Sequence, residues 1–381
     1  MSGAVDRLIA AGTAEIAGRA EPELEALVGV SSPSGDLVGA EAALAICAGL
    51  LPPAAQAQRL PCSTPGSAPD LLATIPGRGT RRMVLVGHVD TVIAHAAHTQ
   101  LRREDGRLYG PGTTDMKGGV VLALGVARTL AALPESFAEL AVLLVTDEEW
   151  RTAEFAHVPR LAHYDACLCF EAGERTASGE EAVVVRRKAA GTLRVSATGR
   201  AAHSGSAPDQ GRNALLALAQ AVRTIAEHHD PHGPERLSVV PTVLRSGEAF
   251  NVVPAGGELI CDLRAAALEA FAPVLASVPA EIAGVHIDAR MERLWPGMDS
   301  DAATASLLAR AGERLGRPIV GVARGGASDA SHFAAAIPTT IDGLGPRGGG
   351  AHTPGEFVLT RSLAQRAEVA LVLALQTLAE N

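Results

Sequence analysis

The chain has 381 residues, more than a single hydrophobic core usually organises, so two domains are expected. Hydrophobic residues make up 47% and charged residues 20% of the chain, which is typical of a folded globular protein and excludes a largely disordered one. Asp and Glu number 42 against 33 Lys and Arg, and this net charge of -9 argues against a nucleic-acid or anionic-membrane partner.

The amino-terminal segment carries Asp6 and Arg7 and has no long apolar core, so it is not interpreted as a signal peptide. Near the carboxyl terminus, the apolar run 369–375 is far shorter than the roughly 20 residues that span a bilayer. The five cysteines are an odd number without zinc-finger spacing and are interpreted as reduced thiols. Together these features predict a cytoplasmic protein without a membrane span.

Residues 1–50 show helical spacing of apolar side chains, interrupted at 31–35, and 56–69 is predicted to be irregular. Short apolar runs predict four buried strands, at 71–75, 83–86, 141–145 and 166–170. A helix is predicted over 118–133, and a helical segment between the last two strands. This alternation predicts an α/β fold with a mostly parallel sheet covered by helices.

Near residue 183 the pattern changes to that of an α+β sandwich. Alternating apolar residues predict strands around 193–197 and 259–263, and helical spacing runs from Leu215 to Ile225. We therefore predict an inserted domain at 186–297. The first domain would then consist of 1–185 and 298–381.

Residues with metal-binding side chains cluster at predicted strand ends and in Gly-rich loops. They are His88 and Asp90, Asp115, Glu148 and Glu149, Glu171, and His352. Each alone is more often a loop residue or a helix cap. Their accumulation predicts a site for zinc or a similar divalent ion. Asp90 projects on the same side of an extended backbone as His88 and is expected to orient its imidazole.

Six short motifs occur in one order along nearly the whole chain. They are HVDTV at 88–92, GPGTTDMKGG at 110–119, TDEE at 146–149, FE at 170–171, AHSG at 202–205 and AHTPGE at 351–356. In this order they resemble the M20 family of co-catalytic zinc peptidases and amidohydrolases, the group that contains carboxypeptidase G2, aminoacylases and succinyl-diaminopimelate desuccinylase. The resemblance implies a dimetal catalytic domain and an inserted lid that also forms a homodimer.

The resemblance also implies the metal ligands. His88 and Glu171 would hold one ion, Glu149 and His352 the other, and Asp115 would bridge the two, with a hydroxide between them. The ions would be zinc, with cobalt and manganese as alternatives. The resemblance further implies a cis peptide bond between Asp115 and Met116.

Catalytic and substrate-binding roles follow from the same resemblance. Glu148, which is not a ligand, would be the general base. His203, in the lid, would donate to the oxyanion and is expected to act on the partner chain's site. Asn251 and Arg264 would bind the substrate, Arg264 through a carboxylate.

The chain departs from the family pattern after its paired glutamates. Family members usually continue with Gly and Ser, whereas this chain has WRTAE at 150–154. A bulky Trp150 and a cationic Arg151 are expected to narrow the pocket or change its charge. The substrate therefore cannot be taken from any one relative.

These features predict hydrolysis of an amide or peptide bond beside a free α-carboxylate, in a small peptide or an N-acyl amino acid. Carboxypeptidase and deacylase activity are not separable from the sequence. The main alternative is a non-catalytic relative that binds a carboxylated ligand, but the presence of every metal ligand and of Glu148 opposes it. A redox enzyme based on Cys167 and Cys169 is disfavoured because both lie in a predicted central strand.

Overall fold

The computed structural model describes residues 2–379. The helices in this range are α1 (Ser2–Val28), α2 (Leu37–Leu50), α3 (Lys117–Ala131), α4 (Val158–Leu161), α5 (Ala214–Ala226), α6 (Ala272–Ala276), α7 (Asp301–Leu315), α8 (Asp329–Ala334) and α9 (Thr360–Leu378). No helix in this range is both long enough and apolar enough to cross a membrane.

The strands of the first half are β1 (Gln56–Leu60), β2 (Asp70–Pro76), β3 (Arg82–His88), β4 (Arg102–Glu104), β5 (Arg107–Tyr109), β6 (Glu139–Val145), β7 (Ala166–Cys169), β8 (Glu174–Arg175) and β9 (Glu181–Arg187). Those of the second half are β10 (Ala189–Thr198), β11 (Ser238–Ser246), β12 (Gly256–Ala265), β13 (Glu281–Ile282), β14 (Val285–Trp295), β15 (Met298–Asp299), β16 (Ile319–Arg324), β17 (Thr339–Ile341), β18 (Gly348–Gly349) and β19 (Phe357–Leu359).

The chain divides into two compact units. The first unit comprises residues up to Arg186, Met298–Ala323 and the residues from Ser328 onward. The second unit comprises Arg187–Gly297 and the short segment Arg324–Ala327, whose membership no sequence pattern indicated.

The first unit is built on a six-stranded sheet with the order β1-β2-β6-β3-β7-β17. The β3–β6, β3–β7 and β7–β17 pairs are parallel, and the β1–β2 and β2–β6 pairs are antiparallel. Residues 83–86 of the central strand are completely buried, because helices cover both faces of the sheet. The α/β class with a mostly parallel sheet is confirmed.

Side chains of β3 alternate between two apolar layers. Met83 and Leu85 pack in the core that contains α1, α3 and α9. Val84 and Val86 pack in a separate core that contains Phe333 of α8. Apolar cores therefore pack on both faces of β3, and they hold the carboxyl end of this strand, at His88, in place.

The prediction that 56–69 is irregular is wrong for its first residues, which form β1. This strand pairs antiparallel with β2, from Gln56 opposite Thr74 to Leu60 opposite Asp70. It lies at the edge of the sheet, and four of its five side chains are exposed. An edge strand with exposed polar residues has no apolar alternation, so the sequence gives no strand pattern there.

The second unit is an α+β sandwich. Its sheet has the order β11-β12-β10-β14-β13, and all of its neighbouring strands are antiparallel. Alternate side chains of β10 and β12, such as Leu193 and Leu263, pack with Leu218 of α5 in one core. The change from continuous apolar runs to alternating apolar residues near residue 183 thus corresponds to a change from an α/β to an α+β fold.

Candidate metal centre

His88 is held at the carboxyl end of β3 by the residue two positions further along. Its ring is buried, and Nδ1 lies 3.0 Å from the backbone oxygen and 3.3 Å from Oδ1 of Asp90. Because a carbonyl oxygen can only accept, Nδ1 of the neutral ring donates to it. Nε2 is then left with its lone pair facing the sheet edge, as a metal ligand requires.

Asp115 stands between two imidazoles. Its Oδ1 lies 3.2 Å from Nε2 of His88, and its Oδ2 lies 3.1 Å from Nε2 of His352. The peptide bond between Asp115 and Met116 is cis, as the resemblance implies. One carboxylate therefore presents a different oxygen to each histidine.

His352 lies in the Gly-rich loop after β18. Its φ of 64° places the backbone in the left-handed region, which a non-glycine residue seldom adopts and which occurs preferentially at functional sites. Its Nε2 also lies 3.2 Å from Oε2 of Glu149. The loop conformation thus directs this imidazole towards two carboxylates.

The predicted ligands therefore form two sets that share Asp115. Glu171 Oε1 lies 3.7 Å from His88 Nε2 and completes the first set with Asp115. His352, Glu149 and the other oxygen of Asp115 form the second. Ligand atoms of His88, Asp115 and Glu149 all lie within 4.8 Å of one another. A donor set of imidazoles and carboxylates with a central bridging carboxylate fits two divalent ions.

The charges of these groups are strongly coupled. Hydrogen bonds with Asp115 and Glu149 raise the pKa of His352 to about 10. Burial alone would raise the pKa of Asp115, but hydrogen bonds with His352 and His88 hold it well below its usual range. Burial likewise opposes protonation of His88, yet Asp115 and Asp90 bring its pKa well above its ordinary value. The carboxylates thus form an anionic site that attracts cations, and divalent metals compete with protons for the imidazoles.

Glu148 belongs to neither set, although it lies next to Glu149. Burial raises its pKa well above the ordinary value, and the negative charges of Glu171 and Asp329 oppose its ionisation further, against the attraction of His88. A carboxyl group with a raised pKa can both take up and release a proton near neutral pH.

Asp90 also orders the turn that carries the two glutamates. One carboxylate oxygen accepts the N–H of Glu148 at 3.2 Å, and the other accepts the N–H of Glu149 at 3.1 Å. The hydroxyl of Ser34 donates to the second oxygen at 2.5 Å. Asp90 therefore connects the predicted ligand His88 to the turn after β6.

Glu356 is a residue of this site whose role the sequence did not indicate. Its buried carboxylate accepts three backbone N–H groups, from Gly112 at 2.8 Å, Thr114 at 2.8 Å and Asp115 at 2.9 Å. Burial raises its pKa to about 7 against the effect of these donors. The side chain joins the loop that carries Asp115 to the loop that carries His352. Its place at the end of AHTPGE was the one available signal.

Arg151 is not an exposed cation of the pocket, contrary to what the sequence suggested. Its side chain is 2% exposed and forms ion pairs with Asp147 at 3.0 Å and with Asp329 at 2.5 Å. The two carboxylates balance the positive charge of the guanidinium inside the protein. Trp150, in contrast, is 59% exposed, so a bulky side chain does stand beside the glutamates.

In the second unit, the structure brings His203 and Asn251 together. Nδ1 of His203 accepts the N–H groups of Gly205 at 3.1 Å and Ser206 at 3.2 Å, so the proton of the neutral ring is on Nε2. The N–H of Ser204 donates to the backbone oxygen of Asn251 at 3.0 Å. The two segments are thus joined through their backbones, and both His203 and Asn251 are exposed.

Arg264 does not lie with these residues. It sits near the carboxyl end of β12, and its guanidinium pairs with Asp262 at 3.0 Å. The His203 and Asn251 loops adjoin the other end of that strand, about 26 Å away at the usual rise per residue. One small substrate cannot contact all three within a single chain. Arg264 stays a sequence-based prediction without a place in the site proposed below.

A sheet edge and adjoining loops that gather imidazoles and carboxylates, with a further buried glutamate beside them, form the kind of site that metallohydrolases have. The family model for peptidase family M20/M25/M40 matches residues 84–376. The chain belongs to this family and is an M20-type metallohydrolase. The resemblance found in the sequence is confirmed.

The relatives that match the sequence include a carboxypeptidase and a desuccinylase. Carboxypeptidase G2 of Pseudomonas sp. (strain RS-16) is 28% identical over 320 residues, which cover 78% of this chain and 74% of the relative. Succinyl-diaminopimelate desuccinylase of Stenotrophomonas maltophilia is 33% identical over 219 residues, 52% of this chain and 56% of the relative. The chain therefore spans about half the length of the desuccinylase that it matches.

Solved structures share the fold along almost the full chain. A tripeptidase from Staphylococcus aureus gives a TM-score of 0.74 at 18% identity and covers 96% of this chain and 99% of that one. An M20 family metallo-carboxypeptidase from Sulfolobus solfataricus gives 0.73 at 14% identity, with 94% and 98% covered. At these identities the likeness establishes the fold alone.

Proposed function

We propose that the protein hydrolyses an amide or peptide bond next to a free α-carboxylate, with two divalent ions, preferably zinc, in the site of the first unit. The observation that carries this proposal is the position of Asp115, whose two oxygens face two different imidazoles, each beside one further carboxylate. Small peptides and N-acyl amino acids are the proposed substrates. The names of the carboxypeptidase and desuccinylase relatives support both.

The first set of ligands would hold one ion and the second set the other. Bound divalent ions would supply Lewis-acid polarisation of the scissile carbonyl and lower the pKa of water. The chain's own contribution is to fix the ligands. Asp90 orients His88 and the glutamate turn, and Glu356 holds the loop of Asp115 through three N–H groups.

Glu148 would perform the proton transfers. As a carboxylate it takes the proton of the attacking water, and as a carboxylic acid it gives that proton to the leaving amine. One group can do both because burial brings its pKa well above the usual range of a glutamate. The adjacent Asp90 carboxylate holds the backbone N–H of Glu148 at the start of its turn.

His203 and Asn251 would bind the oxygen on which negative charge develops and the substrate, respectively. The Nε2–H of His203 is the donor that an oxyanion needs. We propose that His203 acts on the site of a partner chain in a homodimer. This part of the proposal comes from the family resemblance of the AHSG motif at 202–205.

The surface of the second unit supports dimerisation. β11 lies at one edge of its sheet, where Val240 is 42% and Leu244 is 44% exposed. Leu216 of α5 is 66% exposed, and Phe250 is fully exposed. An edge strand with exposed apolar side chains is a surface that another chain can cover. A second copy of this chain is the partner that we propose.

The metal content tests the dimetal proposal. We expect the purified protein, saturated with zinc and then dialysed, to retain two ions per chain. His352→Ala removes a ligand of one set only and should retain one. Elemental analysis of both proteins at known concentration gives these ratios. A wild-type ratio that stays at one or below would refute the dimetal proposal.

A further inference from the structure

The turn that carries Glu148 and Glu149 is fixed at its start by the carboxylate of Asp90, which accepts both N–H groups. A turn held at one end only could still rotate about that end. Its other end is therefore the part of the structure that decides whether the carboxylate of Glu148 has one position or several.

Arg151 holds that other end, together with the N–H of Thr152, which donates to the hydroxyl of Thr64 at 3.1 Å. Its Nε and Nη2 donate to one oxygen of Asp147 at 3.2 and 3.0 Å, and its Nη1 and Nη2 donate to the two oxygens of Asp329 at 2.5 and 3.3 Å. The guanidinium carbon also lies 4.5 Å from the centre of the Phe155 ring. A planar guanidinium bound in this forked way has a single orientation.

The two carboxylates are themselves anchored. Asp147 also accepts the N–H of Thr64 at 2.9 Å, in the segment between β1 and β2. Asp329 is the first residue of α8 and is buried. Arg151 thus ties the glutamate turn to two separate parts of the first unit.

We propose that Arg151 is a positioning residue for the general base: it locks the turn after β6 so that Glu148 is held in the geometry for proton transfer. The inference rests on the proposed role of Glu148. Stability alone is a weak explanation for a buried Arg with two carboxylates, since apolar residues of similar volume often stabilise a core as well. Such a network does restrict a turn to one conformation.

Arg151→Met tests the inference, because it keeps an unbranched side chain and removes the guanidinium. We expect kcat to fall up to about 100-fold, the effect of a small misplacement of a catalytic group, with KM nearly unchanged. The backbone N–H groups of 148 and 149 should exchange with deuterium faster than in the wild type, because their turn is released. Arg151→Lys keeps a cation between the carboxylates and should restore part of kcat.

Arg128→Met is the matched control. Arg128 is also a largely buried arginine of the first unit, pairing with Glu23 at 3.0 Å and donating to the backbone oxygen of Leu50 at 3.0 Å near the far end of α3. The Arg128→Met variant should lower the melting temperature without changing kcat or the rate of hydrogen–deuterium exchange at the N–H groups of 148 and 149. Asp329→Asn keeps the shape of the side chain and weakens the hydrogen bonds of Arg151 to Asp329. It is the variant to use if Arg151→Met does not fold, and its kcat should fall by less than the decrease expected for Arg151→Met.

Unchanged exchange at 148 and 149 in Arg151→Met, or in Asp329→Asn where only that variant folds, would overturn the inference. The same holds if Arg128→Met reduces kcat equally, since the effect would then be one of general stability. Exchange is measured without substrate. If the wild type hydrolyses no substrate, the proposed function fails, while the exchange result still decides whether Arg151 orders the turn.

Discussion

Glu148→Gln is expected to lower kcat by about 10²- to 10⁴-fold, the range for loss of a general base. The amide side chain has nearly the same shape but cannot accept the proton of water. Because Glu148 belongs to neither ligand set, the variant should still bind two ions. Its backbone N–H to Asp90 is also retained, so the turn is expected to keep its position.

Turnover is measured at saturating substrate, with metal content determined on the same preparation. Glu154→Gln, a few residues further along the same loop, is the matched control and should leave kcat unchanged. Near-normal turnover of Glu148→Gln would remove Glu148 from the mechanism. A loss of metal in that variant would instead make it a ligand.

Mixing two inactive variants is expected to restore activity if His203 acts on the partner chain. His203→Ala lacks the oxyanion donor and Glu148→Gln lacks the base, so each homodimer should be nearly inactive. In a mixed dimer, one site then combines the intact base of one chain with the intact histidine of the other. Random mixing would restore about a quarter of the wild-type sites.

The control for this experiment is subunit exchange, followed with differently tagged chains. If both homodimers are inactive, exchange is complete and activity does not return, His203 acts within its own chain. The dimetal proposal is unaffected by that outcome, since His203 is not a proposed ligand.

The parts of the fold that the sequence predicted are those with strong periodic patterns. β3, β6 and β7 are buried on both faces, so they read as continuous apolar runs, and the polar residues that follow them meet at one edge of the sheet. This is why His88, Glu149 and Glu171 could be proposed as neighbours. The assignment of the loop residues Asp115 and His352 to particular ions required the family resemblance, because a loop has no period from which its path can be inferred.

What could not be predicted depends on contacts between distant segments. Glu356 acts through backbone N–H groups, which every residue except proline has and which leave no trace in the sequence. Arg151 pairs with Asp329, 178 positions away, so its burial was not apparent and the residue was taken for a pocket charge. The edge strand β1 was missed because four of its five side chains are exposed, so its sequence has no apolar pattern.

Hydrolysis by the metal-loaded wild-type protein tests the central claim most directly. The substrates are N-acyl amino acids and dipeptides with a free α-carboxylate, each paired with the corresponding α-carboxamide. We expect the free acids to be cleaved with a kcat/KM about 10- to 100-fold above that of the amides, as for loss of a charged hydrogen bond. A chelator should abolish cleavage and zinc should restore it. No cleavage of any free acid, or equal cleavage of acids and amides, would contradict the proposed function.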